Sequence, residues 1–191
     1  MTRSGRRPGS LGTREHIVAV ARRAFGARGY DATSLRNIAA EAHVDPGLLI
    51  HYFGTKEGVF RAALEITIQP DHLFAGLDGV NRQEAAEQIV RRYLSLLDRP
   101  EARDVVIGLV RSAVSNERAK DMLRELFTEG VPRSLSPLIE EPEAKLRALL
   151  IVAQLVGIAM LKYVARAEIV VGATNEELVA LVGPSIQPYL R

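Results

Sequence analysis

Apolar residues return at intervals of three and four along almost the whole chain, the spacing of helices that turn one side inward. Ile17, Val20, Ala21, Ala24 and Phe25 share one face of a first helix predicted over 13–28, with Arg28 in its last turn and Gly29 just beyond as a stop. Leu35, Ile38, Ala39 and Ala42 repeat the spacing in a second helix, opened by the hydroxyl of Thr33 or Ser34. A third opens at Asp45, whose carboxylate caps while Pro46 supplies a helical φ at a position that needs no N–H. Only His43 and Val44 lie between the second helix and that cap, so two short helices must cross steeply, as in a helix-turn-helix. A fourth helix is predicted from Thr55 toward Gln69, stopped by Pro70, with 70–83 a connecting loop or short helix. Further helices are predicted over 84–98, 102–115, 117–129 and 132–140, then a long one from Pro142 to about Arg166. Thr174 or Asn175 caps the last, with Glu176 and Glu177 where the helix dipole favours them. No long run alternates as a strand does. The expected fold is all-α: a flexible arm over 1–12, a three-helix helix-turn-helix domain over 13–60 and a larger helical domain over 61–191.

The third helix divides into two sides. Leu49 and Phe53 stand four apart and are expected to pack inward, leaving Pro46, Gly47, Leu48, Ile50 and His51 outward. A recognition helix enters the major groove with its first residues against the base edges. His51 is then a donor to a base or phosphate, or else a plain surface histidine; Tyr52 offers its hydroxyl to a phosphate, packs half-buried, or does both. Candidate phosphate contacts are Thr33 and Ser34 at the start of the second helix, because helix amino termini attract anions. Lys56 is another: a cation in the first turn of a helix opposes the dipole and calls for a partner outside it. Arg36 projects from the first turn of the second helix.

Charge placement strengthens this reading more than charge itself. The net charge of the 191 residues is only +2, but residues 1–62 carry ten basic and five acidic side chains, leaving −3 for the remainder. A basic amino-terminal part on a mildly acidic body suits a polyanion at one end, although a solvated surface has the same composition. Arg3, Arg6, Arg7 and Arg14 are candidates for a neighbouring minor groove or its phosphates. The chain has no cysteine, which excludes disulfides, thiolate catalysis and cysteine metal sites and fits a cytoplasmic location.

Residues Thr33 to Phe60 read TSLRNIAAEAHVDPGLLIHYFGTKEGVF, preceded by Phe25 and Gly29-Tyr30. With Ile38-Ala39, Ala42, Val44, Gly47, Leu49, Tyr52-Phe53 and Lys56-Glu57 in this order, residues 14–64 resemble the amino-terminal domain of the TetR (tetracycline-repressor) family of bacterial transcriptional regulators. The resemblance implies a repressor that binds a pseudo-palindromic operator as a dimer and is released when a ligand in the body shifts the fourth helix. It also implies a base or backbone contact at Arg36. Three positions depart from the family pattern. His43 stands where the family has a turn glycine, Ile50 where it usually has tyrosine, and Asp45 where serine is common. Ile50 removes one polar contact and offers a surface to a thymine methyl.

In the carboxy-terminal body, 148–161 hold one Gln among apolar residues between Lys145, Arg147 and Lys162. That run is shorter than the roughly 20 residues of a membrane span and reads as a buried helix, with no membrane partner. Leu146, Leu150, Ala153, Gly157, Met160 and Val164 form a seam along it. With Leu178, Leu181, Val182 and Ile186 of the last helix, the seam is expected to build a four-helix homodimer interface. A single thick core is the competing account. A small apolar effector is expected as a partner, with a pocket that sequence does not locate. Leu73, Phe74, Leu77, Leu96, Ile107, Leu109, Val110, Val114, Leu123, Leu126 and Phe127 line such a cavity or are plain core. Neither a cofactor nor a metal is implied, and no catalytic motif occurs, so an enzyme is not expected. The rival reading is a helical ligand-binding or adaptor protein without specific DNA binding.

Overall fold

The computed structural model describes residues 10–68, 73–77, 79–139 and 143–190, and among these there is no strand. Arg3, Arg6 and Arg7 of the expected arm lie outside the described residues. The first helix, α1 (Ser10–Arg28), starts earlier than the apolar spacing predicted and takes up the end of that arm. It is followed by α2 (Leu35–Glu41), α3 (Pro46–Phe53) and α4 (Lys56–Ile68). Next come α5 (Arg82–Asp98), α6 (Pro100–Ser112), α7 (Glu117–Glu125) and the short α8 (Val131–Leu135). The chain closes with α9 (Ala144–Ala159), α10 (Glu168–Gly172) and α11 (Asn175–Ile186).

The sequence predicted one helix over 117–129. Instead α7 ends at Glu125 and passes into a π-helical turn, Leu126–Gly130. Pro132 gives the reason: it has no N–H for the carbonyl four residues back and its ring crowds that carbonyl, so the turn widens. A second π-helical turn, Met160–Val164, extends α9. Two residues beyond its end, Arg166 takes the left-handed conformation with a φ of 52°, and Ala167 N–H bonds the Leu161 carbonyl at 3.0 Å. The short α10 was not foreseen; its residues Glu168, Ile169, Val170 and Val171 show no helical spacing.

Two apolar cores result. One joins α1–α4: Ile17, Phe25, Tyr30, Ile38, Leu49 and Phe60 are buried together, and Val105 and Leu109 of α6 with Ala119 and Met122 of α7 complete the same cluster. Phe25, Tyr30 and Phe60 meet ring to ring with centroids 4.6–5.9 Å apart. The second core fills the body between α5, α9 and α11, centred on Ile89, Leu94, Leu97, Ile151, Leu155 and Ile186. A bidentate Arg91–Glu176 pair at 2.9 and 3.0 Å and a Thr174–Glu177 capping box fix α11 against α5.

Helix α9 and its π-helical turn together form a 21-residue stretch, Ala144–Val164, long and apolar enough to cross a membrane by length and composition. The sequence reading of a buried helix holds for one side only. Ile151, Leu155 and Ala159 lie in the core, whereas Leu146 (54% exposed), Leu150, Ala153, Leu161 and Val164 form an outward apolar stripe. On the neighbouring α11, Leu181 is 76% exposed. Ser185 of α11 donates to Gln154 of α9 at 2.6 Å, so the two exposed faces adjoin. The expected seam therefore needs one correction. Leu178 and Ile186 are sealed in the chain's own core, and Val182 is half-buried against it. Leu181 is the large apolar residue that α11 shows to the outside.

Candidate nucleic-acid interface

Helix α2 ends in a tight reversal that sets the angle of α3. His43 N–H bonds the Ala40 carbonyl at 3.2 Å and Val44 N–H bonds the Ala39 carbonyl at 3.0 Å. This paired closure needs a left-handed residue between, and His43 takes it with φ 52°. A histidine tolerates this at a cost on the order of 1 kcal/mol relative to glycine. Asp45 then caps α3, its Oδ1 accepting from Gly47 N–H at 2.7 Å.

The two sides of α3 separate as its spacing predicted. Leu49 is fully buried, and Phe53 packs on the same core beneath the Arg14 guanidinium, 5.2 Å from the ring centre. Pro46, Gly47 and His51 are exposed, Ile50 is 52% exposed and Leu48 is half-buried. Tyr52 is half-buried against the core, with its ring edge-on to His51 and Phe53. Around α3, Arg36 is exposed and Ser34 caps α2, accepting from Asn37 N–H at 3.1 Å.

Thr33 does not belong to this surface. Its side chain is 1% exposed, and its hydroxyl donates to the carbonyls of Gly29 at 2.7 Å and Ala24 at 3.1 Å. It locks the α1–α2 corner from inside, because Ser34 rather than Thr33 is the capping residue. Lys56 has a partner within the chain: its ammonium lies 4.2 Å from the Tyr30 ring centre and 3.4 Å from the Asp31 carbonyl. Burial lowers its pKa. The dipole argument for an external anion is thus partly answered internally, although an ammonium has three donors.

Three polar ties that no sequence spacing announces fasten this unit to α7. Asn116, which caps α7, donates to the Asp31 carboxylate; Arg118 pairs with Glu57; Arg61 pairs with Glu125. The Glu57 carboxyl is held down to about 2, chiefly by its own backbone N–H and also by Thr55, Tyr30 and Arg118. The Tyr30 hydroxyl lies beside this carboxylate without a well-formed hydrogen bond. A fourth link is buried: Tyr30 N–H donates to Ser112 Oγ at 3.1 Å. Each partner lies more than 60 residues from its mate, which is why local patterns do not show them.

Residues 17–63 match the model of bacterial regulatory proteins of the tetR family, and residues 83–190 match the tetracyclin repressor-like C-terminal domain. The chain belongs to the TetR family of bacterial transcriptional regulators. A TetR-family regulator from Streptomyces coelicolor A3 has 37% sequence identity and a TM-score of 0.74, covering 97% of this chain and 98% of that one. Salmonella enterica GusR, with 19% identity, 97% and 99% coverage and a TM-score of 0.75, shares the TetR fold. An HTH-type transcriptional repressor of Mycobacterium tuberculosis is 37% identical over 92 residues, 48% of this chain and 46% of that protein. The match thus spans about half the length of the curated relatives.

Proposed function

We propose that the chain is a ligand-responsive repressor that binds a pseudo-palindromic operator as a homodimer in the cytoplasm. The observation that carries this is the sidedness of α3. Its cap and Leu49 are anchored, while Gly47, Ile50 and His51 stand free at the amino-terminal end that enters a major groove. Ser34, Arg36, Tyr52 and Lys56 surround it as candidates to position the sugar-phosphate backbone, which sets register without reading sequence. Ile50 favours a thymine methyl, and His51 a base acceptor or phosphate.

The dimer is assigned to the joined outer faces of α9 and α11. Two copies would bury Leu146, Leu150, Ala153 and Leu181 with the half-buried Gly157 and Met160 alongside. One recognition helix makes too few contacts for operator affinity, so two half-sites are required. The ligand signal passes through α7, which is tied to α4 at Glu57 and Arg61. No catalytic step is assigned.

The deciding experiment is selection of bound sequences from random duplex DNA, followed by salt titration of the selected site. A two-fold symmetric site with half-sites about one helical turn or a multiple apart supports the proposal. Affinity falling steeply with salt also supports it, because phosphate contacts release counterions. No enrichment with a flat salt response leaves the adaptor reading in its place.

A further inference from the structure

The outward line of α3 carries little hydrogen-bonding chemistry. Gly47, Ile50 and His51 stand three and four residues apart and are exposed, as is Pro46, four before Ile50. Of these four, His51 alone has a polar side-chain atom. Ile50 is 52% exposed, although Leu49 beside it is fully buried. Gly47 is bare for a structural reason. Its N–H donates to Asp45 Oδ1 at 2.7 Å, and a β-carbon at 47 would lie 2.8 Å from the same oxygen. A larger residue there has to push the capping carboxylate aside. The first turn of α3 therefore meets a groove as backbone and hydrocarbon, and the missing side chain lets the helix approach closely.

Resting on the reading of the chain as a regulator that docks α3 in the major groove, we propose that Ile50 reads the 5-methyl group of a pyrimidine and no other feature of the base pair. Thymine and 5-methylcytosine are then equivalent beneath it, and so are uracil and cytosine. An operator with cytosine at that position gains affinity when the cytosine is methylated.

The reason lies in what an isoleucine lacks. Thymine and cytosine differ in the major groove at the exocyclic group, an O4 acceptor in one and an N4 donor in the other, and a polar side chain tells them apart by hydrogen bonding. Ile50 has neither donor nor acceptor, so it covers either group at a similar desolvation cost. The methyl is the feature from which it gains, in proportion to the hydrocarbon area removed from water. His51, about 100° further round the helix, supplies polar recognition at a separate point.

The test uses the full chain and the operator selected from random duplex DNA. Thymines of the two half-sites are replaced by uracil in symmetric pairs, position by position, and affinity is followed by fluorescence anisotropy at fixed salt. At one position per half-site the paired replacement is expected to weaken binding about tenfold to twentyfold, since each buried methyl contributes about three- to fivefold. With C·G pairs at that position, 5-methylation should strengthen binding by the same factor within about twofold. The two comparisons change a methyl group and nothing else, and both are made on the unaltered protein. Ile50→Ala should bring both ratios to within about twofold of unity. No thymine position sensitive to uracil, a uracil effect without a matching 5-methylcytosine effect, or ratios that survive Ile50→Ala each overturn the proposal. A chain that binds its selected operator but ignores the methyl groups refutes the methyl reading alone. A chain that selects no operator refutes the regulator reading, and this proposal with it.

Discussion

A β-carbon placed on Gly26 of α1 would lie 2.6 Å from the β-carbon of Asp104 on α6. The two helices cross here in close contact, with Gly108 approaching the Phe25 carbonyl on the same crossing. Alanine at position 26 gains about 1 kcal/mol of helix propensity over glycine. A clash with a β-carbon cannot be relieved by a rotamer change, and overpacking costs about 1–3 kcal/mol. Gly26→Ala is therefore expected to be destabilised by up to about 2 kcal/mol and to lower the melting temperature. An unchanged or higher Tm would show that α1 and α6 separate easily.

Glu57 links acid sensitivity to the joint between the two units. Its carboxyl sits at about 2, well below the ordinary value of 4.5. A depressed carboxyl contributes stability that is complete above pH 4.5 and is lost as pH falls toward 2. Solvent reaches the Glu57–Arg118 pair, so the contribution is set at about 1–2 kcal/mol. Denaturant titrations from pH 7 to pH 2.5 should show wild type losing this increment relative to Glu57→Gln, with the two curves converging at the acid end. Parallel curves would remove Glu57 from the account.

The tie between Arg61 and Glu125 is expected to carry response more than affinity. Glu125→Ala should bind operator within about threefold of wild type, since an exposed pair contributes only about 0–1 kcal/mol. It should nonetheless lose most of the ligand-induced release. Fluorescence anisotropy with and without inducing ligand measures both quantities at once, and full release in the variant would place the signal elsewhere.

On the DNA side, His51→Ala is expected to weaken operator binding by about 1–3 kcal/mol and relax preference at one base position per half-site. Arg36→Ala should weaken all sequences alike and reduce the salt slope by about one if it meets a phosphate alone. Thr33→Val should leave the salt slope unchanged and lower stability instead, because the threonine hydroxyl is spent on two carbonyls inside the fold.

Leu150→Glu and Leu181→Glu place charges on the joined outer faces of α9 and α11. Each is expected to yield a folded monomer by sedimentation and to lose operator binding by at least tenfold. Leu178→Glu should unfold the chain, because that position is interior. A dimer persisting in both surface variants would move the interface to another face.

Much of the recognition unit could be read from local signals. Asp45-Pro46, the apolar spacing of Ile38 and Ala39, and the pairing of Leu49 with Phe53 each act within a turn or two of helix, and each stands where expected. Spacing places a residue on a face but does not say how deep that face lies. That is why Thr33 passed for a surface hydroxyl and Leu178 for an interface residue. The π-helical turns arise from competition between a backbone hydrogen bond and the ring of Pro132 or the turn at Arg166, which periodicity averages away. The ties from α7 depend on partners far along the chain, and only the assembled fold brings them together.

Val105, Leu109, Ala119 and Met122 are borrowed from the body to finish the core beneath α1–α4. The DNA-reading end is consequently not a detachable head. Cut near Leu64, it would present the flank of Phe25 and Phe60 to water; grafted onto a foreign body, it would need a new floor of matching shape. Exchange of specificity between such regulators is thus more readily achieved by rewriting the outer side of α3 than by recombining whole segments.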